Sequence, residues 1–237
     1  MTVLAILQAR ATSTRLPGKV LRPILGEPMM ARQIERLQRA RRIDSLVVAT
    51  SVEDSDLPVA ELAARLGCKA HRGDLADVLG RFSGALAQHG PAEHVVRVTA
   101  DCPLTDWRIL DAVIERHLAS DADYTSNTVD RSFPKGLDVE IVRAARLREA
   151  AAEARDSYER EHVTPFFYRR PERFRIEQLV QPEKLDHLRW TVDTPDDFVF
   201  VTRVYETLHP AKPAFETADI LALGWTRWDG TGKPPSP

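Results

Sequence analysis

Apolar residues enter this chain in two rhythms. Continuous runs such as Val3-Leu4-Ala5-Ile6-Leu7, Leu46-Val47-Val48-Ala49-Thr50 and His94-Val95-Val96-Arg97-Val98-Thr99 read as buried strands. Between them, apolar residues recur at helical spacing. Met30, Ile34 and Leu37 lie opposite Arg32, Arg36 and Arg39; Val59, Leu62, Ala63 and Leu66 precede a C-capping Gly67. A short strand around Ala70 leads to a third stripe, Val78, Phe82, Ala85 and Leu86. A fourth stripe, Leu110, Val113 and Ile114, follows Asp106 as N-cap. Strand and helix in alternation predict a parallel sheet covered on both faces. Ligands of such sheets sit beyond the carboxyl ends of the strands.

The rhythm changes after about residue 120. Asp123-Tyr124-Thr125-Ser126-Asn127 reads as a short strand and Pro134-Lys135-Gly136 as a turn. Leu137-Asp138-Val139-Glu140-Ile141 alternates strictly, which puts Asp138 and Glu140 on one face. Helices are predicted over 143–154 and from Tyr158, then an alternating strand over Phe174–Leu179. Leu188–Val192 reads as a last strand, and Thr194, Pro195, Asp196 and Asp197 open a last long helix reaching Leu208. The expected organisation is one α/β domain over residues 1–228, with an inserted antiparallel segment at about 123–185. Residues 229–237 (DGTGKPPSP) have nothing to bury and read as a loose tail.

With 237 residues, of which 43% are hydrophobic, the chain can bury a substantial core. Its net charge of −2 and the lack of a basic, aromatic-lined stripe argue against a nucleic-acid partner. The first apolar run is too short to span a membrane, and Arg10 closes it. Cys68 and Cys102 form no metal pattern, so reduced thiols and a cytoplasmic setting are expected. Trp107, Trp190, Trp225 and Trp228 read as core or subunit-contact residues.

Candidate chemistry begins where the first strand ends. Gln8-Ala9-Arg10-Ala11-Thr12-Ser13-Thr14-Arg15-Leu16-Pro17-Gly18-Lys19 gathers cations and hydroxyls in one loop. Arg10, Arg15 and Lys19 can offset the charge of a polyphosphate, while Ser13, Thr14 and backbone N–H groups bond its oxygens. The loop lacks both the Walker A spacing and the G-x-G-x-x-G pattern. Asp101 follows the strand ending at Thr99, and Asp193 follows the run ending at Val192. Helix capping at 194–197 is complete without Asp193. Two carboxylates beside the cations could therefore hold Mg²⁺, a hard cation that takes oxygen ligands. For Asp138 and Glu140 the residue pattern alone favours solvent, and for His162 a packed or capping role. No zinc pattern surrounds His162, and no Ser-His-Asp arrangement can be argued.

Gln8-Ala9-Arg10 followed by Ser13-Thr14-Arg15-Leu16-Pro17-Gly18-Lys19-Val20-Leu21 resembles the nucleotide loop of the sugar-acid cytidylyltransferases. The spore coat polysaccharide biosynthesis protein F family is closer still. The resemblance continues in order through Val48-Ala49-Thr50-Ser51, Arg72-Gly73-Asp74 with Asp77-Val78-Leu79, and Val98-Thr99-Ala100-Asp101-Cys102-Pro103-Leu104. It goes on through Tyr124-Thr125-Ser126-Asn127, Pro134 to Glu140, Glu159 to Pro165, and Thr191 to Asp197, covering roughly residues 3–205. It implies a nucleotide-diphospho-sugar transferase fold and transfer of CMP from CTP to a sugar acid or similar small acceptor, with pyrophosphate released, in surface polysaccharide or glycoconjugate synthesis. Arg10, Ser13, Arg15 and Lys19 would hold the triphosphate. The backbone of Leu7 to Ala9, with Ser51, Gly73, Asp74 and Thr99, would line base and ribose. Asp101 and Asp193 would bind Mg²⁺, and with Arg10 and Lys19 would form the catalytic set. Asn127, Asp138, Glu140, Arg160 and His162 would face the acceptor, on a segment through which relatives commonly form homodimers. This chain departs from the pattern at Ala100, where relatives usually have Gly, and at Gly80, where an acidic residue is common. Rival readings are a glycosyltransferase using Asp121-Ala122-Asp123 on a finished nucleotide sugar, a non-catalytic nucleotide-binding protein, and a cytidylyltransferase for a phosphate or phosphonate.

Overall fold

The computed structural model describes residues 1–225. The expected tail at 229–237 and Trp228 lie outside the described residues. A seven-stranded sheet forms the centre. Its parallel half comes from β1 (Val3–Gln8), β4 (Ser45–Ser51), β5 (Lys69–Gly73) and β6 (His94–Thr99). A separate small antiparallel pair, β2 (Pro23–Ile24) and β3 (Glu27–Pro28), follows the first loop. The helices between these strands are α1 (Met29–Leu37), α2 (Leu57–Arg65), α3 (Val78–His89) and α4 (Trp107–Ser120).

The sheet continues through β7 (Tyr124–Ser126), β8 (Glu140–Arg143) and β9 (Ile176–Gln178). Its order is β5-β4-β1-β6-β8-β7-β9, and only β8 runs against its neighbours. The mostly parallel α/β architecture and the antiparallel element are thus those expected of the fold. Around the second half pack α5 (Ala144–Glu153), α6 (Ser157–His162), α7 (Pro165–Tyr168), α8 (Pro195–Leu208) and α9 (Thr217–Ala222). Buried side chains divide into two clusters, one on each face of the sheet. Alternate residues of β1 serve each, with Ala5 and Leu7 in one and Leu4 and Ile6 in the other.

The alternating run from Leu137 becomes strand only at Glu140, where β8 begins, and two further expectations change. Leu188–Val192 forms no strand; its one ladder contact is a bridge between Arg189 and Lys135. The segment divides its bonds: Lys135 N donates to Leu188 O at 2.9 Å, Trp190 N to Lys135 O at 2.7 Å, and Val192 N to Asp101 O at 2.8 Å. Gly136 makes this possible, because a Cβ there would sit 2.7 Å from the Trp190 carbonyl carbon, and its φ is +108°. Arg36 is the second change. It is 1% exposed rather than on the solvent side of α1, and its guanidinium lies 4.3 Å from the Phe215 ring and 5.2 Å from that of Trp107. Cys68 and Cys102 are free and buried. Among the described residues no helix is long and apolar enough to cross a membrane.

Candidate active site

Strand order reverses direction at β1: β4 and β5 lie to one side, β6 to the other. The crevice beyond their carboxyl ends is where such sheets take ligands. A cavity of about 770 Å³ opens there, lined by the loop from Gln8 to Val20 together with Arg97, Thr99, Asp101, His162 and Asp193.

The loop's shape comes from a few bonds. Ala9 N donates to Ala49 O at 3.0 Å and Ala11 N to Asp56 Oδ1 at 2.6 Å. Asp56 is wholly buried, and its other oxygen accepts from Ser51 N at 3.2 Å and from Ser51 Oγ at 2.5 Å. One carboxylate therefore ties the start of the basic loop to the end of β4. Gly18 N returns to Ala11 O at 2.9 Å, and Gly18 takes a left-handed φ of 67° that Cβ-bearing residues adopt at a cost. That turn delivers Lys19 inward, with 12% of its side chain exposed.

Lys19 Nζ donates to Val192 O at 2.6 Å and to Asp193 Oδ1 at 3.1 Å, and lies 3.8 Å from Asp101 Oδ2. Arg15 approaches Asp193 Oδ1 at 3.3 Å, while Arg189 donates to Asp193 Oδ2 at 2.8 Å and Asp197 Oδ2 at 3.1 Å. Asp197 closes the capping box of α8 with Thr194, so Asp193 is left to the cavity. Asp101 is set from behind by α1. Gln33 donates to Thr99 O at 2.9 Å, and Arg36 to Thr105 O at 2.7 Å. Burial, then the nearby Asp101 charge, pushes the Cys102 thiol well above its ordinary range, so it offers no nucleophile beside Asp101.

A second cavity of about 510 Å³ adjoins the first and shares Arg97 and His162 with it. Arg131, Asp138, Glu140, Tyr158 and Tyr168 are among its other walls. Asp138 is paired with Arg131 in a fork at 2.5 and 2.9 Å. Glu140 is buried, ion-paired to Arg97, and accepts from Tyr124 OH at 2.6 Å. Burial pulls the Arg97 pKa down, but Glu140 outweighs it, and the net direction is upward.

The structure thus gathers Ala9, Arg10, Ser13, Arg15, Lys19, Thr99, Asp101, His162 and Asp193 around one cavity, and Asp138, Glu140 and His162 around its neighbour. It does not bring the remaining candidates to either wall. Leu7 points into the core, and Ser51 is spent on Asp56. Gly73 backs against Arg81, and Asp74 turns to the backbone N–H groups of Ala76 and Asp77. Asn127 is buried, donating to Leu137 O at 2.8 Å and accepting from Val139 N at 2.9 Å. Arg160 is ion-paired to Asp77, the N-cap of α3, and bonds Ala151 O at 2.8 Å. Sequence reasoning missed Asp56, Arg97 and Arg131. A lone cation inside the run His94–Thr99 was the available signal for Arg97.

Comparison with known proteins bears on the family and the fold. The family model described as Cytidylyltransferase matches residues 4–207. Spore coat polysaccharide biosynthesis protein SpsF of Bacillus subtilis is 31% identical over 228 residues, covering 93% of each chain. A 3-deoxy-manno-octulosonate cytidylyltransferase of Syntrophobacter fumaroxidans is 37% identical over 119 residues, 48% of this chain and 46% of its own. The solved structure of a cytidylyltransferase from Leptospira borgpetersenii serovar Hardjo-bovis superposes with a TM-score of 0.89 at 29% identity, covering 94% of this chain and 93% of that one.

Proposed function

This chain belongs to the cytidylyltransferase family, and on that premise we propose that it transfers CMP from CTP to a hydroxyl of a sugar acid or related acceptor. The observation that carries the proposal is the meeting of Lys19, Asp101 and Asp193 at one edge of the sheet, inside a cavity ringed by the basic loop. The triphosphate would lie along Arg10, Ser13, Arg15 and Lys19. The acceptor hydroxyl oxygen attacks the α-phosphorus in line and gives its proton to solvent, the bond from the α-phosphorus to the α,β-bridging oxygen breaks, and pyrophosphate leaves with that oxygen. Arg10, Arg15 and Lys19 stabilise the charge gathering on the departing phosphates.

Asp101 and Asp193 suit a hard divalent cation, since both approach the same ammonium and both are partly open to the cavity. Among the described residues no cage of three or more acidic, histidine or cysteine side chains forms. The pair therefore fits Mg²⁺, which keeps several waters and borrows phosphate oxygens. Bound there, Mg²⁺ would supply Lewis-acid stabilisation of phosphate charge.

The rival use of a finished nucleotide sugar needs a metal-binding acidic pair near the nucleotide. Asp121 and Asp123 instead pair with Arg143, Arg146 and Arg175. Neither lines the main cavity. The test is a thermal-shift panel of the four nucleoside triphosphates with Mg²⁺, followed by pyrophosphate release from CTP across sugar-acid and phosphate-bearing acceptors. Saturating CTP should raise Tm more than the other nucleotides; a ligand at a hundred times its Kd stabilises by about 2.7 kcal/mol. No preference for CTP, or consumption of a nucleotide sugar instead, would count against the proposal.

A further inference from the structure

Two cavities meet at Arg97 and His162. This inference rests on the nucleotide reading above. With the triphosphate in the first cavity and the acceptor in the second, the α-phosphorus has to sit at their junction, because it is bonded to one and attacked by the other. Arg97 occupies that junction from β6, the strand that ends at Thr99 just ahead of Asp101.

A guanidinium in the middle of a buried strand carries a desolvation penalty and calls for a compensating partner. Glu140, directly opposite Arg97 in the paired β8, supplies the counter-charge, and Tyr124 holds Glu140 from behind. Neutralisation does not exhaust the group. Arginine presents five N–H donors in a rigid fork. Glu140 Oε2 takes one from Nη1, and Gln8 Oε1 takes one from Nη2 at a long 3.4 Å. Nε is buried and has no partner. The head group is thus fixed in orientation by Glu140 while retaining donors beside the place where phosphate charge must develop.

We propose that Arg97 is a phosphate-binding residue at the cavity junction, donating to the non-bridging oxygens of the α-phosphate. The basic loop then serves the β- and γ-phosphates, and Arg97 serves the phosphate that is transferred. Glu140 and Tyr124 act as positioning residues, keeping the fork in one plane.

Competition of cytidine and CMP against labelled CTP, with Mg²⁺ present, separates this from a purely structural role. The wild type should hold CMP more tightly than cytidine. Arg97→Gln should lose about ten- to a hundredfold of that preference, the size of a charged hydrogen bond, with cytidine affinity little changed. Arg97→Lys keeps the charge beside Glu140 and so guards against a fold defect; it should lose part of the preference, because an ammonium cannot reproduce the fork. If both variants only lower Tm and leave the CMP-to-cytidine ratio intact, Arg97 is a strut for Glu140 and the assignment is wrong. A wild type that binds CTP yet holds CMP no better than cytidine removes the α-phosphate contact as well. A wild type that does not bind CTP overturns the nucleotide reading itself, and the assignment with it.

Discussion

Lys19 and Asp193 stand 174 positions apart, yet the ammonium of one donates to the carboxylate of the other at 3.1 Å. Lys19 reaches this point because Gly18 turns the loop, and Asp193 because Val192 is tied to the backbone of Asp101. Partly exposed pairs of this kind contribute little to stability, about 0–1 kcal/mol. The contact fixes two charged groups at the cavity wall and adds little as a brace.

Asp101→Asn and Asp193→Asn should each cut Mg²⁺-dependent pyrophosphate release from CTP by about a hundred- to a thousandfold. Tm should move little, since neither carboxylate is buried without alternatives. Turnover near wild type in either variant would take that residue out of the site.

The Lys19 ammonium lies where a divalent cation bridging Asp101 and Asp193 would compete with it. Mn²⁺ should therefore bind weakly to the protein alone and more tightly once CTP draws Lys19 and Arg15 to its phosphates. Calorimetric titration of Mn²⁺ with and without CTP measures this. EDTA should shrink the thermal shift produced by CTP. Equal Mn²⁺ affinity in the two titrations would mean the sites are uncoupled.

Asp56→Ala should destabilise the fold by about 1–3 kcal/mol, because it strands the buried donors of Ser51 and the Ala11 N–H. CTP affinity should fall with it, as the loop loses its tie to β4. Urea unfolding and CTP titration of the same variant report both effects. A stable variant with weak CTP binding would give Asp56 a direct ligand role.

Much of this was legible in the chain. Thr194, Pro195 and Asp197 announced α8 by local capping chemistry alone, and the helix runs from Pro195 to Leu208 as expected. The meeting of Lys19 with Asp101 followed from parallel strands β1 and β6 ending at one edge; Asp193 joins them without the strand expected before it, through the bond from Val192 N to Asp101 O. What escaped depends on partners distant in sequence. Nothing near Asp56 says that it will cap Ala11, 45 positions away. Ser51 and Asn127 carry hydrogen-bonding groups suited to a ligand, but the fold spends them on Asp56 and on the backbone of Leu137 and Val139. Leu188–Val192 has the composition of a strand, yet Lys135 and Asp101 compete for its backbone and no ladder forms.

Gly80→Ala offers a test of sign. In an exposed helix the change would stabilise by about 1 kcal/mol. Here a Cβ would come within 2.3 Å of Asp77 Oδ2, the oxygen paired with Arg160, while Asp77 Oδ1 caps α3. The variant should be less stable than wild type in urea, and in an Asp77→Ala background, which removes the clashing atoms, much of the difference should disappear. A stabilised Gly80→Ala would show that the Asp77–Arg160 pair yields easily.

Two buried histidines set an acid limit. His94 Nδ1 and His117 Nε2 are 3.0 Å apart, and His117 Nδ1 is 2.9 Å from Thr125 Oγ1. Burial, then the neighbouring His94, lowers His117 to about 3; burial, then Arg143, lowers His94. The unfolded chain then takes up protons that the folded one refuses. Stability should be unaffected above about pH 7 and should fall below the unfolded value near 6.5, at up to about 1.4 kcal/mol per pH unit for each histidine, until the folded group titrates. Urea midpoints from pH 7 to 5 measure the slope. His117→Asn should flatten it, and an unchanged slope would assign the acid loss to other groups.

The bond from Val192 N to Asp101 O has a consequence for biosynthesis. The basic loop leaves the ribosome well before residue 193, so a chain broken off between them carries the cations without the carboxylate that Lys19 meets. The cluster is thus assembled only when the segment around residue 193 folds back against the end of β6.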